Sequence, residues 1–192
     1  MNPDVIVFHL INNFVGTLPL LDWLTRAIVN DFAVPTAMSL VMVWFWFAGA
    51  TPGERLRNQR VVLFIALGLL FANALIKDLS YVYFRPRPFA TETVKLLFYR
   101  PSVSSFPSVP IAVAFCFATG AWIANRRIGK PMFLLASLYA LARVYAGVHY
   151  PLDVIGGAAI GAGAVYAVKR LAFVFEPLAD SVIRLARRLY FS

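Results

Sequence analysis

The stretch VVLFIALGLLFANALIKDLSYVYFRPRP, residues 61–88, decides the fold. Its first sixteen residues carry no charge, and it closes on Lys77, Asp78 and two Arg-Pro dipeptides. An uncharged run of this kind reads as a helix crossing a bilayer, with cations gathered where it emerges. The rest of the chain agrees. Of 192 residues, 60% are hydrophobic and 14% charged, and mean hydropathy is +0.72. A soluble domain is about half apolar and about one quarter charged. A chain this short cannot hide that excess in one core, so the class is an integral membrane protein.

Outward from this segment, five stretches are long and apolar enough to cross: about 33–50, 60–83, 108–125, 131–149 and 152–173. Pro and Gly punctuate the gaps, at Pro52-Gly53, Pro86 to Pro107, Gly129-Lys130-Pro131 and Pro151. The expectation is an all-α polytopic membrane helix bundle of about five transmembrane helices, covering 33–173. Residues 1–32, including the mixed stretch PLLDWLTRAIVNDF, read as an N-terminal segment lying in the interface. Residues 174–192 read as a basic amphipathic C-terminal helix. MNPDVIVFHL lacks a basic n-region and a small-residue cleavage site, so it is expected to be retained.

The net charge of +9 raises the question of nucleic acid. Much of that charge falls in short segments between apolar spans, where it sets topology, so no nucleic-acid partner is expected. Counting Lys and Arg, 11 fall on one side: Arg55, Arg57, Arg60, Arg126, Arg127, Lys130, Lys169, Arg170, Arg184, Arg187 and Arg188. Seven fall on the other. The positive-inside rule places the first set in the cytoplasm. The 85–107 loop and the 149–153 turn then face the extracytoplasmic side of the cell inner membrane. Cys116 is the single cysteine, so no intrachain disulfide forms.

Three clusters meet on that outer side: KDLSYVYFRPRP (77–88), FPSVP (106–110) and ARVYAGVHYPLD (142–153). Ionisable groups at membrane depth are costly and usually functional. Arg85 and Arg143 present forks that match phosphate oxygens, and Lys77 adds a point charge. Ser108, at a helix start, brings a hydroxyl and nearby backbone N–H groups. The sum is a pocket for a phosphoryl group. His149 and Asp153 lie four apart, so the carboxylate can accept from one imidazole nitrogen and leave the other as a nucleophile. Two histidines and few clustered carboxylates make no metal cage, and no metal or cofactor is expected. Gly157 and Gly161 read as close helix packing.

Over residues 60–170 the sequence resembles the type 2 phosphatidic acid phosphatase (PAP2) family of membrane lipid phosphatases. Its motifs are Lys-x6-Arg-Pro, Pro-Ser-Gly-His and Ser-Arg-x5-His-x3-Asp. Arg143, His149 and Asp153 match the third, with Ala142 in place of Ser. The resemblance implies that His149 attacks phosphorus to form a phosphohistidine, oriented by Asp153. It also implies that Lys77, Arg85, Ser108 and Arg143 hold the phosphoryl oxygens. Two positions depart. Seven residues separate Lys77 from Arg85 rather than six, and the second motif keeps Pro107 and Ser108 but has Val109 and Pro110 for Gly and His. In the family that His protonates the leaving group; Pro110 offers neither imidazole nor N–H.

A positioned general acid is worth about 10²–10⁴ in rate. An alkoxide leaving from a monoester has a conjugate-acid pKa near ~15.7, whereas a phosphate leaving from a diphosphate has a second pKa near ~6. Loss of the acid therefore hurts monoester hydrolysis far more than anhydride cleavage. The expected substrate is a lipid diphosphate of the polyprenyl, undecaprenyl type. The alternatives are a catalytically impaired relative that binds or transports a lipid phosphate, and a lipid phosphotransferase. His9 is the other imidazole on the active side and reads as an interfacial residue. The sequence leaves room for a homo-oligomer.

Overall fold

The computed structural model describes residues 2–189, which form nine helices and no strand. They are α1 (Pro3–Asn12), α2 (Pro19–Ile28), α3 (Ala33–Phe47), α4 (Pro52–Val82), α5 (Pro88–Thr91), α6 (Val109–Ala124), α7 (Arg126–Tyr145), α8 (Pro151–Arg170) and α9 (Ala172–Arg188). Proline stands in the first turn of α1, α2, α4, α5, α6 and α8, where its missing N–H removes no helical bond. Side chains of Asn2, Thr51 and Asn125 cap α1, α4 and α7.

α6 is apolar on every face and therefore central. It packs against α3, α4, α7 and α8. Around this core the outward residues stay apolar: Leu40, Leu70, Leu134, Leu141 and Ile155 are all exposed. That surface suits lipid rather than water. α4 and α8 are each long and apolar enough to cross a membrane, and α2 and α3 pass that test as a pair bent by 52°. All five expected spans are helical, but α3 and α6 have only 15 and 16 residues. α7 has 20, its apolar character diluted by Arg126, Arg127, Lys130 and Arg143.

α6 and α8 approach so closely because α8 is built on GGAAIGAGA. A Cβ on Gly157 would sit 2.4 Å from the Ser108 carbonyl oxygen, and one on Gly161 2.1 Å from that of Ala112. Backbone meets backbone there, leaving no side chain free to yield. The close approach sets the starts of both helices side by side, with Ser108 N–H donating to the Asp153 carbonyl at 3.0 Å. At the opposite end of α4, Arg60 grips Asp180 of α9 through Nε and Nη2, at 2.8 and 2.9 Å.

Gly161→Leu should force α6 and α8 apart. Overpacking typically costs about 1–3 kcal/mol, and thermal unfolding in detergent should show the loss. Gly163→Ala, with open space at its Cβ position, should leave the transition unchanged.

Candidate active site

The turn between α7 and α8 gathers three ionisable residues. α7 stops because Gly147 adopts φ +82, a left-handed conformation that glycine takes without strain. Val148 N–H then closes on the Arg143 carbonyl at 3.2 Å. Pro151 starts α8, and Asp153 Oδ2 accepts from Tyr150 N–H at 2.8 Å, capping the helix start. Arg143, His149 and Asp153 thus lie around one corner. Ser108 arrives from the start of α6. Its side chain makes no capping bond; its Oγ lies 3.2 Å from His149 Nε2.

His149 is 1% exposed. Its Nδ1 lies 3.0 Å from the Ser105 carbonyl oxygen. A carbonyl only accepts, so Nδ1 carries the hydrogen and Nε2 presents a bare lone pair. That lone pair faces Ser108 Oγ and Arg87 Nη1, each at 3.2 Å. Burial pushes the imidazole pKa down to about 4, with the Arg143 and Arg87 charges reinforcing the shift and Asp153 opposing it. His149 is therefore neutral at physiological pH.

The carboxylate expected to hold the imidazole does so at one remove. Asp153 Oδ2 lies 3.8 Å from His149 Nδ1. It accepts instead from Ser105 Oγ at 2.5 Å, Tyr150 N–H at 2.8 Å and, through Oδ1, Arg85 Nη1 at 2.6 Å. Ser105 links the two groups, donating its hydroxyl to Asp153 and offering its carbonyl to His149.

The cations sort differently from the sequence expectation. Arg85 is tied between Asp153 and Asp4 Oδ2, the latter at 2.5 Å, and its guanidinium lies 4.3 Å from the centre of the Tyr150 ring. Both ends of its fork are occupied by carboxylates. Arg87 is the guanidinium that reaches His149, held in place by the carbonyls of Val103 at 2.9 Å and Val148 at 3.0 Å. Burial, then Arg143, lowers its pKa to about 10, so it stays charged. Lys77 is exposed on α4, with no side-chain partner among the described residues. The buried stripe of that helix runs through Ala72 and Ile76, and Lys77 lies one residue off it. Arg143 is buried and donates from Nη1 to the Val29 carbonyl, Tyr139 Oη and Asp31 Oδ1, while its Nε is a buried donor without a partner. His9 pairs with Glu92 at 3.3 Å.

Sequence reasoning missed Arg87, although a signal for it existed. Counting the first motif from Arg87-Pro88 instead of Arg85-Pro86 gives six intervening residues back to Ser80, so the motif's lysine position holds serine. Asp4, Asp31, Tyr99 and Ser105 carried no comparable signal.

Beside these residues lies a cavity of about 320 Å³. Arg87, Arg143, Asp31, Tyr99, Val109 and Pro110 contribute to its wall. Two guanidinium groups make it attractive to an anion, and the wall at Pro110 has no proton to give.

A family model for the PAP2 superfamily matches residues 61–176. Undecaprenyl-diphosphatase BcrC of Bacillus subtilis is 27% identical over 157 residues, covering 82% of this chain and 78% of that protein. Undecaprenyl-diphosphatase of Sulfolobus acidocaldarius is 33% identical over 110 residues, covering 55% and 52%. The crystal structure of Aquifex aeolicus LpxE superposes with a TM-score of 0.71 at 29% identity, covering 88% of this chain and 96% of that one. This chain belongs to the PAP2 superfamily, and it is an integral membrane phosphatase.

The buried neutral His149 makes stability depend on pH. Its folded pKa, about 4, lies below the ordinary value near ~6.5. The unfolded chain therefore binds the extra proton first. Stability is complete above pH ~6.5 and falls as pH drops toward ~4. His149→Gln should flatten that stretch of a melting-temperature profile.

Proposed function

We propose that this protein removes the terminal phosphate of a polyprenyl diphosphate of the undecaprenyl type, through a phosphohistidine on His149, at the extracytoplasmic face of the cell inner membrane. The observation that carries the reading is the setting of His149: buried, with Nδ1 against the Ser105 carbonyl and Nε2 facing the Arg87 guanidinium and the Ser108 hydroxyl. A nucleophile needs a free lone pair and an electrophile held against it. The donors around Nε2 are those that would hold phosphoryl oxygens.

Catalysis then rests on positioning and charge. The terminal phosphate enters the cavity and lies against Arg87, Ser108 and Arg143, whose unpartnered Nε gains an acceptor. Nε2 forms a bond to phosphorus while the bridging oxygen leaves with its electron pair as the lipid monophosphate. As the bond forms, His149 becomes cationic. The Ser105 carbonyl accepts from its Nδ1–H, and Asp153, joined through Ser105, supplies compensating negative charge. Water then releases phosphate and restores the imidazole.

Pro110 fits this choice of substrate. A monoester would expel an alkoxide, which needs a proton; a diphosphate expels a phosphate, which does not. The relatives named undecaprenyl-diphosphatases support the same chemistry. The basic end of the bundle, near Arg60 and Lys169, lies opposite the site, which supports the outward orientation.

A phosphate-release assay on purified protein tests the reading with a prenyl diphosphate, a prenyl monophosphate and phosphatidate at matched concentration. The diphosphate should be turned over fastest, and His149→Ala should abolish release. Faster release from phosphatidate would overturn the substrate class. Arg87→Ala should lower kcat/KM by at least about 10²-fold, the scale of losing one preorganised donor. Lys77→Ala should retain most activity.

A further inference from the structure

Loss of the second-motif histidine is harmless only for the half of the reaction that expels the lipid phosphate. The other half still needs a base, because water attacking the phosphohistidine must give up a proton. In-line displacement puts the leaving group opposite Nε2, and the water enters from that vacated side. The cavity beside the site is the one that Arg87 walls and Pro110 borders.

Of the groups lining that cavity, Arg87 and Arg143 are guanidinium donors with no lone pair to accept a proton, Tyr99 gives its hydrogen to Asp31, and Ser104 offers only a hydroxyl. Hydrogen bonding to Asp31 raises the Tyr99 pKa further. Asp31 is the one carboxylate on the wall. It comes from the break between α2 and α3, far from every motif. Its side chain is 25% exposed, with Oδ1 2.5 Å from Arg143 Nη1 and Oδ2 accepting from the Tyr99 hydroxyl. Each oxygen keeps a second lone pair. A carboxylate in a pocket for a dianion weakens binding by like-charge repulsion, a cost that a base offsets.

We propose that Asp31 is the general base of dephosphorylation, the task for which Pro110 leaves no imidazole. This rests on the phosphohistidine reading above. The water oxygen forms its bond to phosphorus as the Nε2–phosphorus bond breaks, and that electron pair returns to Nε2. One water proton passes to Asp31 and the other stays on the phosphate oxygen. Asp31 releases its proton to solvent once phosphate has left. Arg143 keeps the carboxylate ionised, and Tyr99 orients it.

Rapid-quench kinetics with a prenyl diphosphate radiolabelled in its terminal phosphate separates the two halves. Asp31→Asn should keep a burst of lipid monophosphate and a labelled enzyme, while steady-state turnover falls by about 10²–10⁴-fold, the usual worth of a positioned base. Asp31→Glu keeps the charge beside Arg143 but displaces the carboxylate by one methylene. It should show the same split more weakly, and it secures the test if the Asn variant folds poorly. Pro110→His in the Asp31→Asn background should recover part of the turnover. Wild-type turnover in Asp31→Asn overturns the proposal. So does loss of burst and turnover in equal measure, which marks Asp31 as only the counter-ion of Arg143. If the wild type turns over yet never yields label that His149→Ala abolishes, the phosphohistidine reading itself fails, and the Asp31 proposal falls with it.

Discussion

The site depends on one buried chain of charge, Asp4–Arg85–Asp153. Asp153 is fully buried and Asp4 nearly so, and a carboxylate stranded away from water costs several kcal/mol. Arg85 cancels both, at 2.5 and 2.6 Å, while Leu152 N–H donates to Asp4 Oδ1 at 2.9 Å and Tyr150 N–H and Ser105 Oγ complete Asp153. With all four carboxylate oxygens hydrogen-bonded, the geometry has little freedom. Through these bonds α1, the loop after α4, the segment before α6 and the first turn of α8 are tied to a single point. The Ser105 carbonyl, which sets the tautomer of His149, hangs from that point.

This explains why two Arg-Pro dipeptides stand in succession. Proline fixes the backbone at each and removes an N–H that an irregular segment would have to satisfy. Two residues apart, the arginines serve different ends. Arg85 is consumed by carboxylates and carries structure. Arg87, bound to the carbonyls of Val103 and Val148, has no carboxylate to neutralise it and keeps its charge facing Nε2. An arginine already saturated by two acids has little left for a phosphate, whereas one held by carbonyls keeps its full attraction.

The same distinction marks what could be read from residues alone. The helices were legible because hydropathy and Pro/Gly punctuation are local. The Arg143, His149, Asp153 triplet was legible because a single helix–turn–helix corner carries all three at fixed spacing. The choice between Arg85 and Arg87 was not, since either dipeptide satisfies a short pattern and only tertiary pairing with Asp4, some eighty residues away, separates them. Lys77 misled for a related reason: charge at a span end is visible in sequence, but its rotation about α4 relative to Ala72 and Ile76 is not. The expected direct bond from Asp153 to His149 is replaced by a link through Ser105, which intervenes from a segment with no periodic signal. Asp31 and Tyr99 belong to loops that meet only in the folded chain.

Pro110 ties these threads together. As the second residue of α6 it costs the helix nothing, and it leaves Ser108 free to face Nε2 rather than cap. What it removes is a proton carrier on the leaving-group side. Chemistry decides whether that matters. A leaving phosphate, with a pKa near ~6, departs unaided, while an alkoxide, near ~15.7, does not; the difference exceeds the ~3–5 kcal/mol that general acid catalysis supplies. A site with a fixed nucleophile, two guanidinium groups and no acid is therefore selective by what it omits. On the reading proposed above, discrimination between a diphosphate and a monoester follows from the leaving group.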